Sequence, residues 1–325
     1  MQLKSSCENN GFTEIVSKRR TVLMGFAMLS IMLFHQQWLS IFPFSFFHQC
    51  GHFFVDVFFF LSGFGSVYSL RKDNSILGFY KRRLYRLAPL CILCGLLKYF
   101  LAKGGFVDVI VNRNTIFGFD LWFLAVLWFY YLFTPLFLYL ADKFKVLLVI
   151  SLSLLSFIVI SSLHSCDYVT SGFARLPSFI LGILVASGHL KLGARYLKWG
   201  GSFVVLTFLY RTYIRPVDPT LFKELYAYLI LSMGLCSLCY WVLKLLGVLC
   251  EFNVVDKILI YIGMHSLELY LWHEYIYRAV KIQNPIMAFV LAIVLSFTAV
   301  KISDKILNNI KLLVRIYETR NSNQA

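Results

Sequence analysis

The sequence predicts an all-α protein, a polytopic transmembrane bundle of about ten helices with both termini in the cytoplasm. Three observations carry this expectation. Of 325 residues, 59 % are hydrophobic, 18 % aromatic and only 14 % charged, and the mean hydropathy is +0.72. Soluble domains are nearer half apolar and about a quarter charged. The apolar residues gather in runs close to the ~20 residues that carry a helix across ~30 Å of hydrocarbon. The lysines and arginines are shared unequally between alternating loops, which is the signal that fixes orientation.

In order, spans are predicted at residues 21–40, 52–70, 84–101, 120–140, 146–164, 172–190, 200–214, 225–247, 257–277 and 285–304. The first follows the polar segment MQLKSSCENNGFTEIVSKRR. It outruns a signal-peptide core of ~7–15 residues, and no A-x-A-like site follows it, so it is expected to remain as a span. The second, GHFFVDVFFFLSGFG, holds Asp56 inside an otherwise apolar run. The third is entered through RKDNSILGFYKRRLYR, where six of sixteen residues are basic. The fourth opens on FDLWFL, the seventh is short, and the ninth carries the polar stretch GMHSLELYLWHEYIYR.

The expected organisation is a cytoplasmic segment over residues 1–20, a membrane domain over 21–304 and a cytoplasmic tail over 305–325. No polar stretch is long enough for a soluble domain. Alternation of the spans puts 22 of the 31 Lys and Arg residues into 1–20, 71–86, 141–145, 189–199, 244–257 and 301–325, the cytoplasmic side. The net charge of +15 mostly expresses this bias and suits anionic lipid headgroups. Nucleic acid is not an expected partner.

Eight cysteines are present. Cys91/Cys94 and Cys236/Cys239 have C-x-x-C spacing but lie in apolar runs without His or acidic partners, so they read as small core residues and no metal site is expected. Cys50 and Cys166 fall in predicted outer loops, where an oxidising compartment could join them.

Ionisable residues within spans are expensive and therefore candidates for function. His35 lies about 22 Å along the first helix from Arg20, at ~1.5 Å per residue, which puts it in the outer half. Asp56 enters the second helix from the same surface. A carboxylate at that level can fix an imidazole tautomer and support its charged form, as a general base requires. The alternative is a snorkelling histidine beside a carboxylate favoured by its helix dipole. Glu268, Tyr270, Trp272, His273 and Glu274 in the ninth span, with Asp120 and Trp122 in the fourth, are predicted to approach the same level. For most of the Trp and Tyr residues in that set an interfacial aromatic belt is the usual explanation, while a helix end holding both Glu268 and His273 is harder to explain that way. On the opposite side, Arg82, Arg83 and Arg86 lie in FYKRRLYRLAP; Arg83 and Arg86 are one turn apart, and guanidinium forks suit phosphates. Retention by lipid phosphate is the competing explanation.

The order of motifs resembles the acyltransferase-3 family of bacterial membrane acyltransferases. The matching segments are SIMLFH (Ser30 to His35), VDVFFFLSGF (Val55 to Phe64), FYKRRLYRLAP (Phe79 to Pro89), LWFL (Leu121 to Leu124) with Tyr130 or Tyr131 and Pro135 downstream, and SLELYLWH (Ser266 to His273). The resemblance runs from about residue 18 to 305 and implies transfer of an acyl group, usually acetyl from acetyl-CoA, to a hydroxyl on a carbohydrate or similar extracytoplasmic acceptor. Through it, His35 is the expected catalytic base with Asp56, while Arg82, Arg83 and Arg86 are expected to hold the donor's phosphates. Trp122, Glu268, Tyr270 and His273 are candidates for the acceptor.

Acyl-CoA enters as a co-substrate, with no tightly bound cofactor. The expected partners are membrane lipids, the donor and a glycan or lipid-linked sugar in the bacterial inner membrane, with dimerisation left open. One departure stands out. The family's arginine, separated from the histidine by ten residues, falls on Met24, with Arg19 and Arg20 a turn or more nearer the cytoplasm. A transporter or flippase is the rival class, since intramembrane His, Asp and Glu also line transport paths. Such proteins tend to show internal repeats, and no convincing one is visible. A non-enzymatic assembly partner is the third reading.

Overall fold

The computed structural model describes residues 11–35, 50–73, 75–101, 122–162, 168–214, 226–249, 253–279 and 285–322. Every regular element in them is helical: α1 Phe12–Phe34, α2 Phe53–Asp73, α3 Ile76–Leu101, α4 Trp122–Phe144, α5 Val146–Ser162, α6 Tyr168–Ser187, α7 Ala194–Trp199, α8 Gly201–Leu209 continued by a π-turn at Tyr210–Ile214, α9 Tyr226–Leu249, α10 Asn253–Met264, α11 Ser266–Ala279 and α12 Pro285–Ser322. The chain divides into two compact units, one formed by Met1–Tyr80 with Trp122–Ser266, the other by Lys81–Leu121 with Leu267–Ala325.

Among the described residues, four helices are long and apolar enough to cross a membrane: Phe53–Lys72, Trp122–Phe144, Val169–Ser187 and Tyr226–Gly247. The others fall short for identifiable reasons. α1 begins nine residues before the predicted start at 21 and includes Lys18, Arg19 and Arg20, but it is kinked at Arg19, whose φ/ψ of −108°/15° are non-helical, which leaves Thr21–Phe34 as its apolar part. α3 likewise starts at Ile76, so the basic segment expected as a loop is divided, Arg71 and Lys72 ending α2 and Lys81 to Arg86 lying in the first turns of α3. The predicted ninth span is two helices broken at His265, and its first piece, α10, has only 12 residues. α12 runs on to Ser322, through the segment expected as a tail.

In the first unit, α2 and α6 form the centre. Their apolar windows are 83 % and 78 % buried, against 44 % for α4, whose outer face carries Phe129, Leu132, Leu136 and Tyr139. Small residues let these backbones meet, as expected where lipid provides no hydrophobic drive between helices. A Cβ on Gly63 would strike the Phe179 carbonyl, and one on Gly182 would strike that of Phe60. α1 and α10 use the same device. A Cβ on Gly25 would meet the Leu259 carbonyl, and one on Gly263 that of Thr21. Phe59 then fills the centre against Phe123 at 4.8 Å and Tyr130 at 5.2 Å, and Tyr130 packs on Phe179 at 4.8 Å.

Hydroxyl groups are accommodated by bonding back to helix carbonyls, so that little polarity faces hydrocarbon. Ser30 donates to Phe26 O at 2.9 Å, Ser66 to Ser62 O at 2.7 Å and Thr134 to Tyr130 O at 2.8 Å. Pro89, Pro135 and Pro177 lie inside helices, as membrane helices tolerate.

Candidate active site

Asp56 lies in the first turn of α2, where the helix dipole favours a carboxylate, and is 0 % exposed. Two side chains of α6 meet it. Ser178 Oγ donates to Asp56 Oδ1 at 2.9 Å, and Arg175 Nε lies 3.6 Å from Asp56 Oδ2. Ser178 and Arg175 are three apart, so one helix face presents both.

Arg175 is 4 % exposed and packed against two aromatic rings. Its guanidinium carbon stands 4.5 Å from the Trp122 ring at the start of α4 and 3.7 Å from the Tyr228 ring in the first turn of α9. A desolvated cation over two π faces gains on the order of 2 kcal/mol from such contacts. Arg211, in the π-turn that ends α8, donates to the Tyr228 hydroxyl at 3.1 Å. Wide turns of this kind recur at functional positions because they re-aim one side chain.

Rings connect this cluster to His35. The histidine caps the C-terminus of α1, its N–H bonded to Ile31 O at 3.2 Å, and is half-buried. Phe34 meets the rings of both His35, at 5.1 Å, and His52, at 5.5 Å. His52 in turn lies 5.7 Å from Tyr228 and is buried. His35 and Asp56 therefore belong to helix ends joined through an aromatic wall. The side chains recorded on the carboxylate, however, are a serine and an arginine from α6.

The basic residues before the predicted first span have separate partners. Arg19 Nη1 meets Asp256 Oδ2 of α10 at 2.5 Å. The Arg20 guanidinium lies over Gly65 of α2, in the space a Cβ would need. Gly63 serves the α2–α6 crossing instead.

The remaining expected residues lie in the other unit. Arg83 is buried at 7 % exposure, whereas Arg86, one turn further along α3, is exposed and Arg82 intermediate. In α11, Trp272 Nε1 donates to Ser303 Oγ of α12 at 3.1 Å. His273 is buried, with Nδ1 2.9 Å from Tyr270 O and 3.0 Å from Leu269 O, which places the ring proton on Nδ1 in the neutral form. Tyr270 packs on its ring at 5.5 Å, and Glu268 lies in the first turn of α11, partly buried.

Asp120 and Cys166 lie outside the described residues, as does the Glu274 side chain. Cys50 is buried, and desolvation pushes its thiol up to about 12, so it stays protonated at neutral pH. Cys91, Cys236 and Cys239 are buried core residues. An apolar groove of about 220 Å³ opens between α4 and α6, lined by Ala125, Phe129, Val169, Gly172 and Leu176 among others. Tyr130 forms part of its wall, with the hydroxyl committed to Gly172 O.

Sequence reasoning missed Arg175, Arg211, Tyr228 and His52. Arg175 carried a usable signal, because it stands within the predicted span 172–190 and an ionisable residue there is a candidate by default. A family model described as an acyltransferase domain matches residues 22–301. No curated protein and no solved structure matches the chain.

Proposed function

The chain belongs to the acyltransferase-3 family, and from that premise we propose that it moves an acyl group, acetyl foremost, from a CoA thioester to a hydroxyl of an extracytoplasmic glycan or lipid-linked sugar. The family match, which takes in α2, α4, α6 and the residues around Asp56, is the observation that carries this reading. The setting is the inner membrane of a bacterium, with both termini in the cytoplasm.

In this reading His35 is the general base. It takes the proton of the acceptor hydroxyl as the oxygen attacks the thioester carbonyl. The C–O bond forms, the carbonyl electron pair moves to oxygen, and collapse breaks the C–S bond. The thiolate leaves and recovers the proton. His35 suits the role because it stands half-buried at a helix end, joined through Phe34 and His52 to the buried polar cluster. Arg20, reaching to Gly65, joins Arg82, Arg83 and Arg86 as a candidate for the donor's phosphates, in place of the arginine replaced by Met24. Trp122, Glu268, Tyr270 and His273 are assigned to acceptor recognition.

The test is the O-acyl content of the cell's surface polysaccharide, read by NMR or mass spectrometry. A deletion strain is complemented with wild type or with His35→Ala at equal protein level. The reading expects an O-acyl signal that disappears on deletion, returns with wild type and stays absent with His35→Ala. Restoration by His35→Ala would remove the base. An unchanged acyl pattern on deletion would remove the glycan acceptor and move the search to lipid acceptors.

A further inference from the structure

A buried ion pair is a poor stabiliser, because desolvation of the two charges offsets most of their attraction. The Asp56–Arg175 pair is incomplete even by that standard. At 3.6 Å the contact is beyond hydrogen-bond length, and neither Arg175 Nε nor Asp56 Oδ2 has a hydrogen-bond partner among the described residues. Both atoms are buried at the heart of a membrane helix pair, where an unmade bond is costly. Meanwhile the guanidinium carbon stands 4.5 Å from the Trp122 ring and 3.7 Å from the Tyr228 ring, which fix it in place. The site thus spends polar groups on orientation and leaves one charged donor unused.

Acyl transfer needs such a donor. Negative charge develops on the carbonyl oxygen as the hydroxyl attacks, and a donor already aimed at that position acts without reorganisation. We propose that Arg175 Nε–H receives the carbonyl oxygen of the acyl group and stabilises the oxyanion of the tetrahedral intermediate. Arg175 is then a catalytic residue, and Asp56, held by Ser178, is a positioning residue that acts through it. The step balances: the attacking oxygen gives its proton to the base and forms the C–O bond, the π pair moves to the oxyanion, and its return expels the thiolate. This inference rests on the acyl-transfer reading and says which chain atom meets the reacting carbonyl.

The test uses the full-length protein in lipid nanodiscs, with acetyl-CoA as donor and thiol release as readout alongside product formation. Two variants keep the buried charge balanced, Arg175→Lys and the pair Asp56→Asn with Arg175→Gln. Both should accumulate and melt near wild type. Arg175→Lys retains the cation and the carboxylate but loses the planar Nε donor. Its kcat should fall about 10²–10³-fold, with the donor KM within about threefold. A kcat for Arg175→Lys within about threefold of wild type would overturn the proposal, and so would wild-type turnover by the neutral pair. Failure of both variants to accumulate would make the cluster a folding element and overturn it too. Absence of thiol release and product with the wild-type protein would instead strike the acyl-transfer reading itself.

Discussion

Gly25 of α1 and Gly263 of α10 lie face to face, each so close to the opposite backbone that a methyl group on either would collide with a carbonyl, that of Leu259 or of Thr21. The crossing is set by backbone rather than by side chains. Gly25→Ala should therefore cost about 1–3 kcal/mol, the usual penalty for overpacking. Gly193→Ala, with open space around its Cβ, should cost almost nothing. Thermal unfolding in detergent, followed by size-exclusion chromatography, distinguishes them; equal melting would mean that the two helices do not meet this closely.

The same helix pair carries the Arg19–Asp256 ion pair, with side chains 29 % and 25 % exposed. A partly exposed pair is worth roughly 0.5–1 kcal/mol, weakening with salt. A double-mutant cycle on Arg19→Ala and Asp256→Ala should return a coupling of that size, and exchange of the two charges should recover most of it. Zero coupling at low salt counts against the contact.

Gly65 makes room for the Arg20 guanidinium. Gly65→Ala should displace the flexible arginine and leave the fold intact. On the acyl-CoA reading, the donor KM should then rise about fivefold with kcat nearly unchanged, because a lost uniform binding contact acts on KM alone. Arg20→Ala should shift KM in the same direction. If neither variant moves it, Arg20 has no part in donor binding.

Variants at His35 and Asp56 should fail in different ways. His35→Ala trims a half-buried helix end, so protein level should hold while kcat falls about 10²–10⁴-fold. Asp56→Ala leaves the Arg175 cation buried without its carboxylate, a loss of about 3–5 kcal/mol, and should deplete the protein itself. Immunoblots of membrane fractions beside activity separate the two; an Asp56→Ala protein at wild-type level would show that the carboxylate is not supporting Arg175.

The helical membrane architecture was legible because it depends on composition summed over long runs, as in Trp122–Phe144 and Tyr226–Gly247. Helix ends were less so. Lys18, Arg19 and Arg20 marked a loop by charge, and the structure has a kink at Arg19 instead, with helix on both sides, Arg19 on Asp256 and Arg20 over Gly65. The break at His265 falls within the polar stretch of the predicted ninth span, which was read as one helix because apolar runs flank it on both sides. In the site, Asp56 was visible as an acid in an apolar run, but its partner sits in another helix, and linear spacing says nothing about which helices touch. Counting loop charges also worked against Arg175 and Arg211, since a tally of sides absorbs residues near a span's end. The aromatic contact was invisible for a different reason: Trp122 and Tyr228 look like ordinary belt residues until the cation packed against them is placed.

The distance between Asp56 and its hydrogen-bonding partner Ser178 is also a distance in time. They lie 122 positions apart in the chain. At ~5–20 residues per second, a ribosome takes on the order of ten seconds to reach the second after the first. Throughout that interval α2 exists without the arginine and serine that make its acid tolerable in hydrocarbon. Either the carboxyl group takes up a proton, or the segment waits at the insertion machinery until α6 arrives. Unless its acid is neutralised, α2 therefore cannot settle in the membrane ahead of α6, whatever the order of synthesis. Among the described helices, α3, α4, α5 and α6 all leave the ribosome before the Asp56 carboxylate can meet Ser178 and Arg175.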